Sequence, residues 1–184
     1  EAARLLAELN RDEAVRILSR MDPDDAVDLL AELPKEMVQD ILRRLEERER
    51  KELSQLLSYP PDTAGGLMSP EVVALPQDMS CQEAIETLRR VAEEMETVYY
   101  AYVVDEERRL IGVLSLRDLV FARPETSIHQ IMHTDVMSVP AHLDVEEVAR
   151  LFDRYNFLAL PVVDEEGRPL GMLNLKDIVR AGIF

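Results

Sequence analysis

The chain has 184 residues, enough for one large or two small domains, and its 47% apolar and 32% charged side chains are the composition of a soluble globular protein. Its 37 acidic and 21 basic side chains give a formal net charge of −16, which argues against nucleic acid or an anionic membrane surface as the partner and favours cations. The single cysteine, Cys81, excludes an internal disulfide, and we find neither a signal peptide nor an apolar run near the roughly 20 residues of a membrane-spanning helix, so the chain as given is expected to be soluble.

Residues 1–58 carry a repeat of twelve residues. Four blocks align when they are started at Asn10, Asp22, Pro34 and Glu46. The first three blocks carry an apolar pair at the same place: Ile17 and Leu18, Leu29 and Leu30, Ile41 and Leu42. Asp22 is expected to cap a helix that begins at Pro23, because proline is favoured at the first helical position. We predict short helices of about eight to ten residues, which stack into a superhelical N domain because none buries its apolar stripe alone.

Residues 59–67 end the repeat, because prolines and glycines are concentrated there. The segment reads Tyr-Pro-Pro-Asp-Thr-Ala-Gly-Gly-Leu, and Met68 follows it. We therefore place a linker here, between the helical domain and a region in which strands alternate with helices.

Residues 68–126 and 127–184 are two copies of one unit, because the stretch 102–118 matches the stretch 161–177 position for position. Each stretch predicts a strand, a polar hairpin turn, a second strand and the start of a helix. A further helix is predicted before the strands of each copy. The expected fold class of the whole chain is therefore multi-domain, with an α domain of short helices followed by two α+β domains.

The two helix starts carry polar side chains that suit ligand binding. In the first copy Ser115 is a predicted N-cap with Asp118 in the first turn, and in the second copy Asn174 and Asp177 take these places. Such a helix start presents free backbone amides, a hydroxyl and a carboxylate together. The alternative for Asp118 is a purely structural role at the helix start.

A strand, the motif Gly-x-x-Ser-x-x-Asp and a helix, repeated in tandem, resemble a pair of CBS domains. In that family the two units pack through their sheets as a pseudo-dimer, and the cleft between them often binds an adenine nucleotide. The resemblance implies that Asp118 binds the ribose hydroxyls and Ser115 faces phosphate, with Arg117 as a positive charge beside it. Tyr100 and Phe157 are the aromatic residues expected to stack on adenine. The second copy lacks the hydroxyl, so we expect one nucleotide site, with ATP as its ligand, rather than two.

The order of helical repeat, linker and CBS pair is similar to the cytosolic region of MgtE-type bacterial magnesium channels. The pattern Tyr-Pro-x-Asp-x-Ala-Gly-x-Leu-Met at residues 59–68 is the most specific part of this resemblance. Because that family continues into a transmembrane pore domain, we expect this chain to be a sensor region excised from a longer channel, held at the cytoplasmic face of the inner membrane. Part of the helical domain is expected to be missing before Glu1. The resemblance also implies a homodimer formed through the CBS domains.

An acidic cluster lies at the start of one predicted helix. It consists of Asp22, Asp24, Asp25 and Asp28. Asp24 and Asp28 are four residues apart and therefore lie on one helix face. Carboxylates about 4 Å apart repel by roughly 4 kcal/mol at an effective dielectric constant near 20, so this face needs a counterion where it meets another acidic face. Mg²⁺ suits such a place, because it takes oxygen ligands and usually keeps several waters.

The resemblance implies that Mg²⁺ sites join the helical domain to the CBS pair and favour the closed state of the channel. The matching positions in this chain are Asp24, Asp28, the backbone carbonyl near Gly66, Glu146 and Asp177. The alternative is that the acids at the helix start only complement the helix dipole.

An enzyme is not expected, because no nucleophile with a base and no open metal site is evident in the sequence. His129, His133 and His142 lack ligand spacing and are expected at the surface. The main alternative function is a soluble adenine-nucleotide-sensing CBS protein that regulates an enzyme, and a third is a helical scaffold whose CBS pair only dimerises. The sequence leaves open the Mg²⁺ affinity, the choice between ATP and AMP, and the direction of gating.

Overall fold

The computed structural model describes residues 2–93, 95 and 98–182. The helices are α1 (Ala2–Glu8), α2 (Arg11–Leu18), α3 (Pro23–Ala31), α4 (Lys35–Arg44), α5 (Glu47–Leu57), α6 (Ala64–Leu67), α7 (Cys81–Val91), α8 (Leu116–Phe121), α9 (Ile128–Ile131), α10 (Val145–Tyr155) and α11 (Leu175–Arg180). The strands are β1 (Ala74–Pro76), β2 (Tyr100–Val104), β3 (Leu110–Ser115), β4 (Val139–Pro140), β5 (Ala159–Val163) and β6 (Pro169–Asn174). In this described part of the chain, no helix has both the length and the apolar character to cross a membrane.

Helices α2 to α5 confirm the twelve-residue repeat, because they begin at residues 11, 23, 35 and 47. Alternate helices pack together, α1 on α3, α2 on α4 and α3 on α5, and this pairing makes the array superhelical. Repeat positions such as Ala14, Leu18, Ala26 and Leu30 are buried between the helices. Asp22 occupies the N-cap position of α3, but its side chain makes no capping hydrogen bond. The predicted N-cap position of Asp22 and the helix start at Pro23 are therefore confirmed, although the Asp22 side chain does not bond to the helix.

Each α+β copy contains the same three-stranded sheet. The strand orders are β1-β2-β3 and β4-β5-β6, with the first strand parallel to the second and the second antiparallel to the third. The registers are equivalent, since Tyr100 lies opposite Ser115 in one sheet and Ala159 lies opposite Asn174 in the other. The predicted fold class, a helical domain followed by two copies of one α+β unit, is confirmed.

A reciprocal exchange of short segments joins the two copies. Ser69 precedes the first sheet but pairs with Met172 in β6 of the second copy, with N···O distances of 2.8 and 2.7 Å. His133 precedes the second sheet and pairs in the same way with Val113 in β3 of the first copy, with both distances at 2.9 Å. Gly171 is required beside the first of these pairs, because a Cβ there would collide with the carbonyl oxygen of Ser69. The segment that precedes each sheet is therefore hydrogen-bonded to the last strand of the other copy's sheet.

The linker packs on the second copy rather than on the first. The backbone N–H of Ala64 donates to the carbonyl of Leu143 at 2.8 Å, and that of Gly65 donates to the carbonyl of Ala141 at 2.8 Å. The buried residues of the N domain and of the second copy form one continuous apolar core, whereas the first copy has a core of its own. The N domain is consequently packed against the second copy.

Candidate functional site

A cavity of about 120 Å³, which we call the acid cavity, lies between the N domain and the second copy. Its polar lining comes from three elements, with Asp24, Asp25 and Asp28 on α3, Gly66 on α6, and Asp177 and Arg180 on α11. The structure thus brings together four of the five residues predicted to bind metal, which are Asp24, Asp28, Gly66 and Asp177.

Glu146, the fifth predicted ligand, does not line the acid cavity. It is exposed in the first turn of α10, where its backbone N–H donates to Oδ1 of Asp144 at 2.8 Å. The same helix start is bound to the linker, since the N–H of Val145 donates to the carbonyl of Asp62 at 3.1 Å. Glu146 is therefore separated from the other four by the packing of α10 against the linker.

Local structure explains why the carboxylates face one another. Asp24 and Asp28 are four residues apart in α3 and share the face that packs towards the second copy. Asp177 is 9% exposed, and Nδ2 of Asn174 donates to its Oδ2 at 3.2 Å. Arg180 lies 3.7 Å from Asp25 across the domain contact, but both side chains are about half exposed, so this ion pair contributes little to stability.

Electrostatics in the acid cavity favour the protonated carboxyl groups. Burial raises the pKa of Asp24 to about 6, its own backbone hydrogen bond opposes the rise, and the charges of Asp177 and Asp25 add to it. Burial and then the charge of Asp25 raise the pKa of Asp28, and burial raises the pKa of Asp177. At neutral pH the ionisation of these carboxyl groups therefore has a cost in free energy when the two domains are in contact.

The acid cavity fits a hard divalent cation that retains water. Mg²⁺ is usually bound by one or two carboxylates and keeps several waters. Across the described residues, no group of three or more His, Cys, Asp or Glu side chains is placed to hold a metal ion. A volume of about 120 Å³ leaves room for waters, since one water occupies about 30 Å³ in the liquid. The arrangement therefore suits an ion held partly through water between two domains.

A second group of acids closes one of the two clefts between the copies. Asp22, Asp24 and Glu71 line a cavity of only about 40 Å³, together with Asn174 and Lys176. Burial raises the pKa of Glu71, and the charges of Asp22 and Asp24 add to the rise. Because the N domain covers this cleft with carboxylates, it has neither the room nor the charge for a nucleotide. Glu71 was not predicted from the sequence, because it lies outside every motif.

The opposite cleft holds a larger cavity of about 330 Å³, which we call the cleft cavity. Tyr100 and Phe157, the residues expected to stack on adenine, both line it. Tyr155 lies beside Phe157, with ring centroids 5.6 Å apart. This volume is at the lower end of the range for small-molecule sites, which runs from about 300 to 1,000 Å³. The structure therefore places two aromatic faces in the one cleft that is open.

Ser115 and Asp118 do not line the cleft cavity themselves but adjoin its rim, because they cap α8 at the end of β3, whose residue Val113 lines it. Oδ2 of Asp118 accepts from the N–H and Oγ of Ser115 at 2.8 and 2.7 Å, and the N–H of Asp118 donates to that Oγ at 3.1 Å. Ser115 pairs with Tyr100 across the sheet, which puts the cap next to the aromatic lining. Arg117 does not line the cavity, because its guanidinium lies over the ring of Phe121, 5.7 Å from the centroid.

His133 is a third member of this group that the sequence did not predict. Its Nε2 lies 3.3 Å from Oδ2 of Asp118, although the side chain is 66% exposed as expected for a surface histidine. Burial alone would raise the pKa of Asp118, but the hydrogen bonds from Ser115 and the nearby His133 outweigh it and lower the pKa. No local sequence pattern predicts this contact, because the exchange of segments between the two copies is what brings His133 to Asp118.

Comparison with known proteins supports the division into parts. Residues 1–62 match the family described as the MgtE intracellular N domain, and residues 64–125 and 128–183 each match the CBS domain family. The magnesium transporter MgtE of Thermus thermophilus is 50% identical over 135 residues, which make up 73% of this chain and 30% of that protein. The MgtE of Bacillus subtilis is 42% identical over the same share of each chain. The chain thus spans about 30% of the length of these curated relatives.

Solved structures show the same architecture. The crystal structure of the soluble part of a magnesium transporter superimposes with a TM-score of 0.91 at 39% identity, covering 96% of this chain and 69% of that chain. The cytosolic domain of the Mg²⁺ channel MgtE in complex with ATP superimposes with a TM-score of 0.85 at 42% identity, covering 98% of this chain and 79% of that chain.

The raised pKa of Asp24 predicts a pH dependence of stability in the absence of divalent ions. A carboxyl group whose pKa is higher in the folded state stabilises the fold below its unfolded pKa, and the benefit is lost as the pH rises through about 6. Asp24→Asn should therefore raise the melting temperature at pH 8 in EDTA, and its advantage should vanish near pH 4.

Asp25→Asn is the matched control for this measurement. Asp25 is the next residue on α3, but it is about half exposed and faces Arg180. Its substitution removes only one of the secondary charges that raise the pKa of Asp24, so it should alter the pH dependence of the melting temperature much less than Asp24→Asn does. Equal gains at pH 8 from the two variants would contradict the account of Asp24.

Proposed function

Because the chain belongs to the MgtE family, with an MgtE intracellular N domain followed by two CBS domains, we propose that it is the cytosolic Mg²⁺-sensing regulatory region of a magnesium channel. The observation that carries the proposal is the acid cavity, where carboxylates of two domains face each other. The pore domain of the same full-length protein would be its partner, at the cytoplasmic face of the inner membrane. This role is regulation rather than catalysis.

The acid cavity makes the domain contact dependent on a cation. Asp24 and Asp28 would supply carboxylate oxygens from the N domain, and Asp177 from the second CBS domain. Without a counterion, ionised carboxylates about 4 Å apart repel by roughly 4 kcal/mol at an effective dielectric constant near 20. With Mg²⁺ between them, the same charges attract the ion from both sides and favour the closed arrangement of the domains.

The linker takes part in the contact between the N domain and the second CBS domain through Gly66. It belongs to α6, lines the acid cavity and leaves its backbone close to α3 and α11. A Cβ at Gly66 would collide with the backbone of Pro60 and Pro61, so only glycine permits this tight turn. A backbone carbonyl in this position is a hard oxygen donor of the kind that Mg²⁺ accepts.

The cleft cavity supports adenine nucleotide as a second ligand, and we propose ATP. Tyr100 and Phe157 offer aromatic faces to the base, and Asp118 at the rim offers a carboxylate to the ribose hydroxyls. The related MgtE cytosolic domain crystallised in complex with ATP favours this ligand. The nucleotide would modulate the Mg²⁺ response, because it binds between the CBS domains on which the N domain docks. A soluble nucleotide-sensing CBS protein is less well supported, since it does not account for the MgtE N domain.

A homodimer is the third part of the proposal. Four large apolar side chains are exposed on the equivalent helices α8 and α11, namely Leu116, Val120, Phe121 and Val179. Val120 and Val179 occupy matching positions in the two copies, 70% and 55% exposed. Exposed apolar side chains grouped in this way mark interaction surfaces, and a second copy of the chain would cover them through a two-fold contact.

Mg²⁺ should compact and stabilise the chain. An ion that binds only the closed form stabilises it by about 2.7 kcal/mol at a hundredfold excess over its dissociation constant. Small-angle scattering should give a smaller radius of gyration in millimolar-range Mg²⁺ than in EDTA, and the double variant Asp24→Asn, Asp28→Asn should show a blunted change. Glu146→Gln is the control, since Glu146 lies outside the acid cavity, and it should respond like the parent. A radius of gyration unaffected by Mg²⁺ would refute the sensing role.

Asp118→Ala should weaken ATP binding at least tenfold. The substitution removes two charge-assisted hydrogen bonds to the ribose, each worth roughly 1.5 to 3 kcal/mol. Asp177→Ala is the matched control and should have a much smaller effect, because the cleft beside it is too small for a nucleotide. Calorimetry on both variants separates the clefts, and Asp118→Asn, which retains an oxygen to cap α8, guards against a loss of folding. Equal losses for Asp118→Ala and Asp177→Ala would show that the wrong cleft is assigned.

Phe121→Glu should convert the dimer into a monomer. Phe121 is 81% exposed on α8, and a buried carboxylate at a two-fold contact would also face its own copy. Sedimentation velocity in Mg²⁺ should report the change. Leu5→Glu is the control, because Leu5 is 60% exposed on the N domain, away from α8 and α11, and should leave the dimer intact. A parent chain that stays monomeric at high concentration would exclude the dimer.

A further inference from the structure

His133 lies next to the carboxylate of Asp118, the group that the proposed function assigns to binding the ribose hydroxyl groups. Its backbone pairs with Val113 through two hydrogen bonds of 2.9 Å, and Val113 itself lines the cleft cavity. From this anchored position, Nε2 lies 3.3 Å from Oδ2 of Asp118. The imidazole is 66% exposed and not needed for the core, so its contact with Asp118 is its main interaction with the fold.

Oδ2 of Asp118 is already fully engaged in the structure. It accepts from the N–H and the Oγ of Ser115, and Nε2 of His133 is the third group on the same oxygen. A carboxylate offers about four lone-pair sites over its two oxygens, so three partners on one oxygen exceed its share. A ribose whose two hydroxyl groups bind one to each carboxylate oxygen of Asp118 needs a site on Oδ2 as well as on Oδ1, and therefore displaces one of the partners of Oδ2. The bonds to Ser115 cap α8 and are the shorter, which leaves His133 as the partner that gives way.

We propose that His133 competes with the ribose for Asp118, so that protonation of His133 weakens adenine-nucleotide binding in the cleft cavity. This inference rests on the nucleotide site proposed above. An imidazolium binds a carboxylate more strongly than a neutral imidazole, because the hydrogen bond becomes charge-assisted. Imidazole is the side chain that ordinarily changes charge between pH 5 and 8, so nucleotide affinity falls as the pH falls through that range.

The other charged groups near His133 do not supply the same dependence. From α8, Asp118 has a lowered pKa: burial raises it, but the hydrogen bonds from Ser115 and the nearby His133 outweigh this, so it stays ionised across the range. Arg117 on the same helix remains a cation and faces the ring of Phe121. Asp135 follows on the segment of His133 and lines the cleft cavity.

The test compares ATP binding by the parent and by His133→Asn at pH 8.0 and pH 5.5, by calorimetry in EDTA. Asparagine keeps a polar side chain at an exposed position but cannot be protonated, and the titration of the ATP phosphates is the same in both proteins. The ratio of the dissociation constant at pH 5.5 to that at pH 8.0 should be about threefold larger for the parent, as expected for an ion pair between partly exposed groups. Equal ratios, or a smaller ratio for the parent, would overturn the inference.

A second ligand shows whether the competition takes place at the ribose. With 2′,3′-dideoxy-ATP, which lacks both hydroxyl groups, the parent and His133→Asn should have the same ratio, and a persisting difference would overturn the inference. If Asp118→Ala binds ATP as well as the parent does, the proposed ribose contact fails first. If ATP binding is sensitive to Asp118 but indifferent to His133, only the present inference fails.

Discussion

The reciprocal pairing of Ser69 with Met172 and of His133 with Val113 is the contact on which the rest of the structure depends. Each pair anchors the segment that leads into one copy on the last strand of the other. The pairing fixes the two sheets against each other and so forms both clefts. It also directs the linker across the second copy, because the chain must reach β6 before it returns to β1. The position of the N domain follows from that route.

The two clefts have the same backbone and opposite properties. In the first copy, Asp118 is satisfied by Ser115 and His133 at the rim of an open, aromatic cavity. In the second copy, Asp177 receives a hydrogen bond from Asn174 and faces the carboxylates of α3. One carboxylate is therefore stabilised in its ionised form, whereas the other belongs to an acidic contact that Lys176 and Arg180 compensate only in part. The duplicated unit gives both clefts the same backbone, and the contact with the N domain makes the second cleft different from the first.

The apolar core and the acid cavity act in opposite directions on the same domain contact. The N domain and the second copy share one continuous core, which favours association regardless of ions. The acid cavity lies in the same interface, where burial and mutual repulsion raise the pKa of Asp24 to about 6. A contact of this kind is sensitive to cations, because a modest change in the electrostatic free energy alters the balance between closed and separated domains. A ligand bound in the cleft cavity would act on the CBS pair that carries this contact.

The sequence by itself determined the parts of the molecule. A period of twelve gave the helices that begin at residues 11, 23, 35 and 47, and the duplicated stretch gave two identical sheets, since both depend on patterns within short segments. It also identified Asp24 and Asp28 as sharing a helix face, and Ser115 and Asp118 as a helix start, because these pairs lie within one turn of each other.

Only the tertiary structure decided how the parts meet. It placed Asp177 against α3, left Glu146 outside the acid cavity, added Glu71 to the covered cleft and brought His133 to Asp118. Each of these outcomes depends on hydrogen bonds between segments far apart in the chain, such as that between Gly65 and Ala141. Backbone hydrogen bonds join N–H and C=O groups, which nearly all residues have in common. The sequence therefore contains no pattern from which such a contact could be predicted.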